Sequence, residues 1–182
     1  HALDDAGVPA LCGLDLKVKR GEILGIAGVS GNGQTQLVEV LAGQREATAG
    51  TVLVKDEAFK ATRRQIKEKR FTLLPEVPLD NACVGEMSVS ENMALRDFDA
   101  ESMTLFRYFV SKKAIKAQAQ KLIAQFNVRA PSADTPIRNL SGGNVQRAVL
   151  ARELSRPIDA MVTANPCFGL DFAASSEIRS RI

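Results

Sequence analysis

The spacing of apolar and polar positions changes several times along the chain, and each change marks an element. Leu14 to Val18 alternates apolar and polar residues, as a strand with one buried face does. Lys19-Arg20-Gly21 turns the chain. Glu22 to Ala27 (EILGIA) is then short and mostly apolar, the pattern of a buried parallel strand. Gly28 to Gly33 is rich in glycine. From Gln34 to Ala42 the apolar residues Leu37, Val38, Leu41 and Ala42 fall at helical spacing, and Gly43 stands where a helix would end. The order is strand, glycine loop, helix. Gly50 to Val54 and Phe71 to Leu74 read as further strands. The basic stretch between them, Lys60 to Arg70, reads as the solvated face of a short helix, with no aromatic residues interleaved for base stacking.

Residues from about 90 to 155 read as a helical block, led in by Ser-Val-Ser-Glu. Lys112 to Phe126 is amphipathic, with Ile115, Ala119, Leu122, Ile123 and Phe126 on one face. Met103 to Phe109 (MTLFRYF) is expected in the core or at an interface. A polar loop from Asn127 to Asn139, containing Pro131 and Pro136, precedes a second helix from about Gly143 to Ser155. Ala160 to Thr163 is a short apolar strand, and Ala173 to Ile182 begins another helix. Strands and helices alternate at both ends around a helical block, which predicts an α/β core carrying a helical insertion.

Composition narrows this picture. A chain of 182 residues fits one domain, or one domain with an inserted subdomain. With 45% hydrophobic and 25% charged residues it can bury a core of ordinary size. A net charge of +3 is too small to argue for nucleic acid or an anionic membrane surface. No apolar run approaches the roughly 18 residues of a membrane helix, and no leader pattern opens the chain. It begins with His1-Ala2 and stops at Ile182 inside an expected helix, so both ends read as boundaries rather than natural termini. Cys12, Cys83 and Cys167 show no metal-ligand spacing and are expected as reduced thiols. His1 is the one histidine, so no histidine-based catalysis or metal site is expected.

Two segments carry chemistry. Gly28-Val29-Ser30-Gly31-Asn32-Gly33-Gln34-Thr35 follows the phosphate-loop pattern G-x-x-x-x-G-K-[ST], except that Gln34 stands in the lysine position. Glycines let backbone N–H groups curl around a polyphosphate, and the following helix N-terminus favours negative charge. Thr35 offers a hydroxyl to Mg²⁺. Gln34 can donate a hydrogen bond but brings no charge. The bland alternative is a glycine turn without a ligand. The second segment is Leu140-Ser141-Gly142-Gly143-Asn144 with Gln146, which opens the second helix. Ser141 suits the N-cap, and the glycines leave backbone N–H groups bare. A capped helix after a flexible loop would explain this segment alone, but not Gly169-Leu170-Asp171 after the next apolar strand.

Taken together, these segments resemble the ATP-binding domain of ABC transporters over nearly the whole chain. Gly28 to Thr35 resembles the phosphate loop, Leu140 to Asn144 the signature, and Gly169 to Asp171 the D-loop. Pro75-Glu76 stands where the family has its Q-loop glutamine. Ala164-Asn165-Pro166 stands where the family reads D-E-P. Ala164 thus replaces the Mg²⁺-associated aspartate and Asn165 the general-base glutamate. An amide can orient a water but cannot take its proton at neutral pH. These departures are similar to the second, degenerate half of tandem bacterial importers for monosaccharides and nucleosides.

The resemblance implies an α/β fold: an ABC-type P-loop NTPase core, a mixed sheet flanked by helices, with an inserted helical subdomain. Residues 1–85 and 156–182 are expected to form the core, and residues 86–155 the helical subdomain. ATP is expected on Gly28, Val29, Ser30, Gly31, Asn32, Gly33, Gln34, Thr35 and Gln36, with Mg²⁺ at Thr35 weak or absent. Ser141, Gly142 and Gly143 would act in trans on the ATP of a partner half, with Glu76, Asn165 and Asp171 degenerate or auxiliary. The implied partners are another nucleotide-binding half in the same native chain, membrane permease subunits and, indirectly, a solute-binding protein, with no nucleic acid. The implied place is the cytoplasmic face of the bacterial membrane. The chain alone is expected to turn over negligible ATP. A soluble non-transport ABC ATPase and a nucleotide-sensing regulatory module remain as alternatives.

Overall fold

A computed structural model describes the chain except Ser30, Arg107, Phe168, Gly169 and Asp171, and except the side chains of Ala173 and Ala174. The chain forms two compact units, residues 1–72 and 73–182. Each unit mixes strands and helices.

In the first unit, β1 (Ala2–Leu3) pairs antiparallel with β2 (Pro9–Leu11), and β3 (Leu53–Val54) with β4 (Glu57–Ala58). Helix α1 (Gln34–Ala42) begins at Gly33 with φ 96° and ends at Gly43 with φ 71°, both left-handed positions that suit glycine. Thr62 caps the short α2 (Arg63–Glu68) by accepting from the Gln65 N–H at 3.3 Å. Arg45 stitches the unit together. Its guanidinium donates to the Leu3 carbonyl and forms ion pairs with Asp5 and Glu39. Phe59 and Phe71 pack with ring centroids 4.8 Å apart.

The expected strands at Leu14 to Val18 and Glu22 to Ala27 are absent. Residues 14 to 29 are irregular and exposed, and Ile23 keeps 92% of its surface. The physical reason is pairing. Alternation fixes which face of a strand would be buried but supplies no neighbour, and the ladders described in this unit are made by other segments.

The boundary between units falls within β5 (Phe71–Leu74), which pairs with β8 (Ala160–Thr163). The strands of the described residues lie in four two-stranded sheets. The second unit is the richer in helix. After α3 (Pro78–Asn81) comes α4 (Val89–Ala94), held by a reciprocal cap. The Ser88 hydroxyl accepts from the Glu91 N–H, and the Glu91 carboxylate accepts from the Ser88 N–H. A hairpin of β6 (Thr104–Leu105) and β7 (Phe109–Val110) leads into α5 (Lys112–Gln125). Next come α6 (Gly142–Leu154) and, after β8, α7 (Phe172–Arg181).

The apolar stripes of α4, α5 and α6 meet in one core. Val89 and Met93 pack with Ala119, Leu122 and Phe126, and with Val145, Ala148 and Ala151. A smaller core joins Leu74, Val149, Leu150 and Ile178. The buried amide of Asn92 turns to residues 84–88. Its nitrogen shares two hydrogens among the Val84, Met87 and Ser88 carbonyls, each at 3.0 Å, and its oxygen accepts from the Val84 N–H. No described helix is long and apolar enough to cross a membrane.

Candidate functional site

The glycine loop closes on itself. The Val29 carbonyl accepts from the Asn32 N–H at 3.3 Å and from the Gln34 side-chain amide at 3.2 Å. Gln34 thereby folds back over the loop. A Cβ on Gly28 would lie 2.2 Å from its Nε2, so Gly28 is the residue that lets it lie there. Gly33 is buried, and a Cβ there would lie 2.6 Å from the Ala10 carbonyl oxygen, so β2 backs the loop closely enough to demand glycine. Gly31 and Gly33 take φ of 90° and 96°. No side chain caps α1, which leaves its first N–H groups to a ligand or water. Gly31, Asn32 and Thr35 are exposed, while Gln36 is half-buried on α1.

This arrangement fits a polyphosphate bound through backbone N–H groups. The exposed Thr35 hydroxyl is a single neutral donor, and no group of three acidic, histidine or cysteine ligands occurs among the described residues.

In the second unit the structure brings together Asn165 and Glu76. The Asn165 amide donates to Glu76 Oε1 at 3.1 Å, joining the turn after β8 to the turn after β5. Both side chains are exposed, and Asn165 holds a left-handed φ of 43°, which asparagine tolerates better than most residues. The Ala164 N–H bonds the Leu74 carbonyl at 2.8 Å and fixes the same pair of turns.

Ser141 occupies the N-cap position of α6, but its side chain does not cap the helix. The expected role is corrected by its neighbour. Asn144 Nδ2 donates to Ser141 Oγ at 2.8 Å, and Asn144 Oδ1 accepts from the Arg129 N–H at 2.8 Å. The hydroxyl is thus occupied from within the helix, and the N–H groups of Gly142 and Gly143 have no side-chain cap. The two glycines differ. A Cβ on Gly142 would meet nothing within 4 Å, whereas one on Gly143 would lie 3.1 Å from Leu170 Cδ2. Gln146 is buried and donates to the Pro166 carbonyl at 3.0 Å, tying α6 to the segment that carries Asn165.

The far end of α6 holds a cluster that motif reading passed over. Glu153 is fully buried and accepts from Arg152 at 2.8 Å and from Arg96 at 3.0 Å. Its second oxygen has only Arg156 at 3.9 Å, beyond a hydrogen bond. Arg152 also donates to the Ala82 and Asn92 carbonyls. The one available signal was the run of charge Arg-Glu inside an otherwise apolar-periodic helix. Of the expected site residues, Ser30 and Asp171 lie outside the described residues.

Comparison with known proteins shows the family. A family model described as ABC transporter matches residues 11–166. The chain is 39% identical over its whole length to the glucose import ATP-binding protein TsgD13 of Haloferax volcanii, spanning 33% of that protein. It is 33% identical to the guanosine import ATP-binding protein NupO of Bacillus subtilis, over 98% of this chain and 35% of that one. The chain thus spans about a third of the length of the curated relatives it matches. Among solved structures, the dimeric post-hydrolysis state of the ATP-binding cassette MJ0796 bound to ADP and Pi superposes with a TM-score of 0.73 over 94% of this chain and 72% of that one. At 22% identity that likeness speaks to the fold.

Proposed function

This chain belongs to the ABC transporter family of ATP-binding domains, and from that premise we propose that it is the second, degenerate nucleotide-binding half of a bacterial importer for a small polar solute, a nucleoside or a monosaccharide. Its relatives' names, glucose and guanosine import among them, support the solute class. The reaction such domains carry is attack of water on the terminal phosphate of ATP. In this chain the glycine loop would hold the phosphates through the backbone N–H groups near Gly31 and Gly33, with Thr35 as the candidate Mg²⁺ contact. Gln34 adds a neutral donor where a cation would strengthen binding. Asn165 can hold a water but cannot accept its proton, and Ala164 offers no ligand. Own-site hydrolysis is therefore slight, and the chain's main contribution is made in trans.

The observation that carries this reading is the open N-terminus of α6. The Ser141 hydroxyl is taken by Asn144, Gly142 faces free space, and no side chain caps the helix. Backbone donors on an uncapped helix end stabilise the charge that develops on phosphate oxygens. On this reading a second nucleotide-binding half supplies the ATP, permease subunits receive the motion, and a solute-binding protein acts further out. The chain then works at the cytoplasmic face of the membrane.

The test is Gly142→Asp in the full native protein assembled with its permease. Gly142 is chosen over Gly143 because an added side chain there meets no neighbour. An aspartate beside a polyanion costs several kcal/mol at moderate dielectric, so ATPase activity should fall at least about tenfold while the fold is kept. A folded variant with an unchanged rate refutes the action in trans.

A further inference from the structure

We propose that the β6–β7 hairpin is a membrane-interface finger that docks this chain on anionic phospholipid, an assignment independent of its nucleotide chemistry. Three features, each unfavourable in water, coincide within ten residues. The first is exposure. Phe106, Tyr108 and Phe109 keep 85%, 88% and 68% of their surface, and Leu105 and Val110 are exposed beside them. Leu105 is the cross-strand partner of Phe109, so these two side chains share one face of the hairpin. An apolar concentration of this size on one short hairpin marks a surface that something covers. Of the stretch Met103 to Phe109, expected in the core or at an interface, Met103 is buried.

The second feature is backbone conformation. Phe106 sits at the tip with φ 52°, a left-handed position where a bulky residue is strained and glycine or asparagine is the ordinary choice. The strain holds an aromatic ring at the point of the turn. The third feature is charge. Helix α5 begins at Lys112 and Lys113, two exposed cations in a first turn that holds no acid, against the helix dipole. Neither forms an ion pair among the described residues, although Lys112 lies near enough to Glu91 to help lower that carboxyl. The acids of the preceding loop have interactions of their own: Asp97 pairs with Arg156, and Asp99 and Glu101 are also engaged.

An anionic phospholipid surface answers all three features. Amphipathic rings settle at the headgroup level, apolar residues enter the acyl boundary, and lysines meet the lipid phosphates. The net charge of the chain does not point there; the placement of two lysines behind four exposed apolar side chains does. A protein groove would cover the rings but gives no reason for the cations at the helix start.

The chain contains no tryptophan and one tyrosine, Tyr108, so its tyrosine emission reports on the hairpin alone. The experiment is flotation of the 182-residue chain with vesicles of equal parts phosphatidylglycerol and phosphatidylcholine, beside vesicles of phosphatidylcholine only. Binding to the anionic vesicles is expected, with Tyr108 emission quenched by lipids brominated along the acyl chain. Phe106→Ser with Phe109→Ser should weaken partitioning roughly tenfold or more, as should Lys112→Glu with Lys113→Glu, which sets like charge against the lipid phosphates. All four residues are exposed, so circular dichroism should be unchanged. Absence of binding, equal binding to both vesicles, binding that survives the aromatic substitutions, or unquenched Tyr108 emission each overturns the proposal. Concentration-dependent self-association removed by Phe106→Ser, without vesicle binding, would assign the hairpin to a second copy and overturn it equally.

Discussion

Glu76 accepts a hydrogen bond from the Asn165 amide across 89 residues of sequence, so the turn after β5 and the turn after β8 meet through a carboxylate and an amide. Asn165→Glu would set two carboxylates against each other at that contact. Like charges at hydrogen-bonding distance disfavour joint ionisation, so one of the two should titrate above the ordinary carboxylate range, readable by NMR of the carboxyl carbons. Two carboxyls that titrate normally would mean the turns separate in solution.

Gly142→Ala should stabilise the fold by about 0.5–1 kcal/mol, because alanine outranks glycine inside a helix and the new Cβ meets nothing. Gly143→Ala should gain less or lose, since its Cβ presses on Leu170 at 3.1 Å. Chemical denaturation of the two variants side by side checks the order. Equal effects would place Leu170 away from the helix.

Glu153→Ala should cost about 3–5 kcal/mol, because it leaves Arg152, itself nearly buried, without its counter-charge. Arg96→Ala should cost about 1 kcal/mol or less, as Arg96 is partly exposed and Glu153 keeps Arg152. Urea midpoints at constant slope measure both, and a mild Glu153→Ala would mean that water reaches the cluster.

Stability should fall in acid through Glu91. The Ser88 hydroxyl and N–H hold its carboxyl below the ordinary value of 4.5. A carboxyl lowered in the folded state binds protons more readily when unfolded. Its contribution is therefore fully present above the ordinary value and is lost as pH drops through the lowered one. Glu91→Gln should flatten that part of the stability–pH curve, and Ser88→Ala should cost about 0.5–2 kcal/mol at neutral pH. A curve that Glu91→Gln leaves unchanged in shape would show that the cap is open in solution.

Gln34→Lys should tighten ATP binding by about 1.5–3 kcal/mol, as a charge-assisted contact replaces a neutral one. It should not raise hydrolysis, since Ala164 and Asn165 are untouched. Calorimetry and a phosphate-release assay separate the two. Unchanged affinity would place Gln34 away from the phosphates.

The sequence disclosed its helices better than its strands. The stripes of Lys112 to Phe126 and of the second helix appear as α5 and α6 within a residue or two, because a helix satisfies its backbone internally and its pattern is local. Phe71 to Leu74 and Ala160 to Thr163 are strands as expected, yet Glu22 to Ala27 is not, because a strand depends on a partner that its own residues do not specify. At the site, residue types were legible and contacts were not. Ser141 reads as a cap until Asn144 takes its hydroxyl, and nothing in either segment announces that Asn165 reaches Glu76. The buried Glu153 was hidden because a charge in a helix reads as solvent-facing until packing on every side is known.

Helix α6 bears Gly142 and Gly143 at one end and the Arg152–Glu153 cluster at the other, with Val145, Ala148 and Val149 buried between them. Thirteen residues make a rod about 20 Å long. Packed along its length and tied at its base by the Arg152–Glu153 pair, the helix holds the glycine end and the charged cluster in one fixed relation.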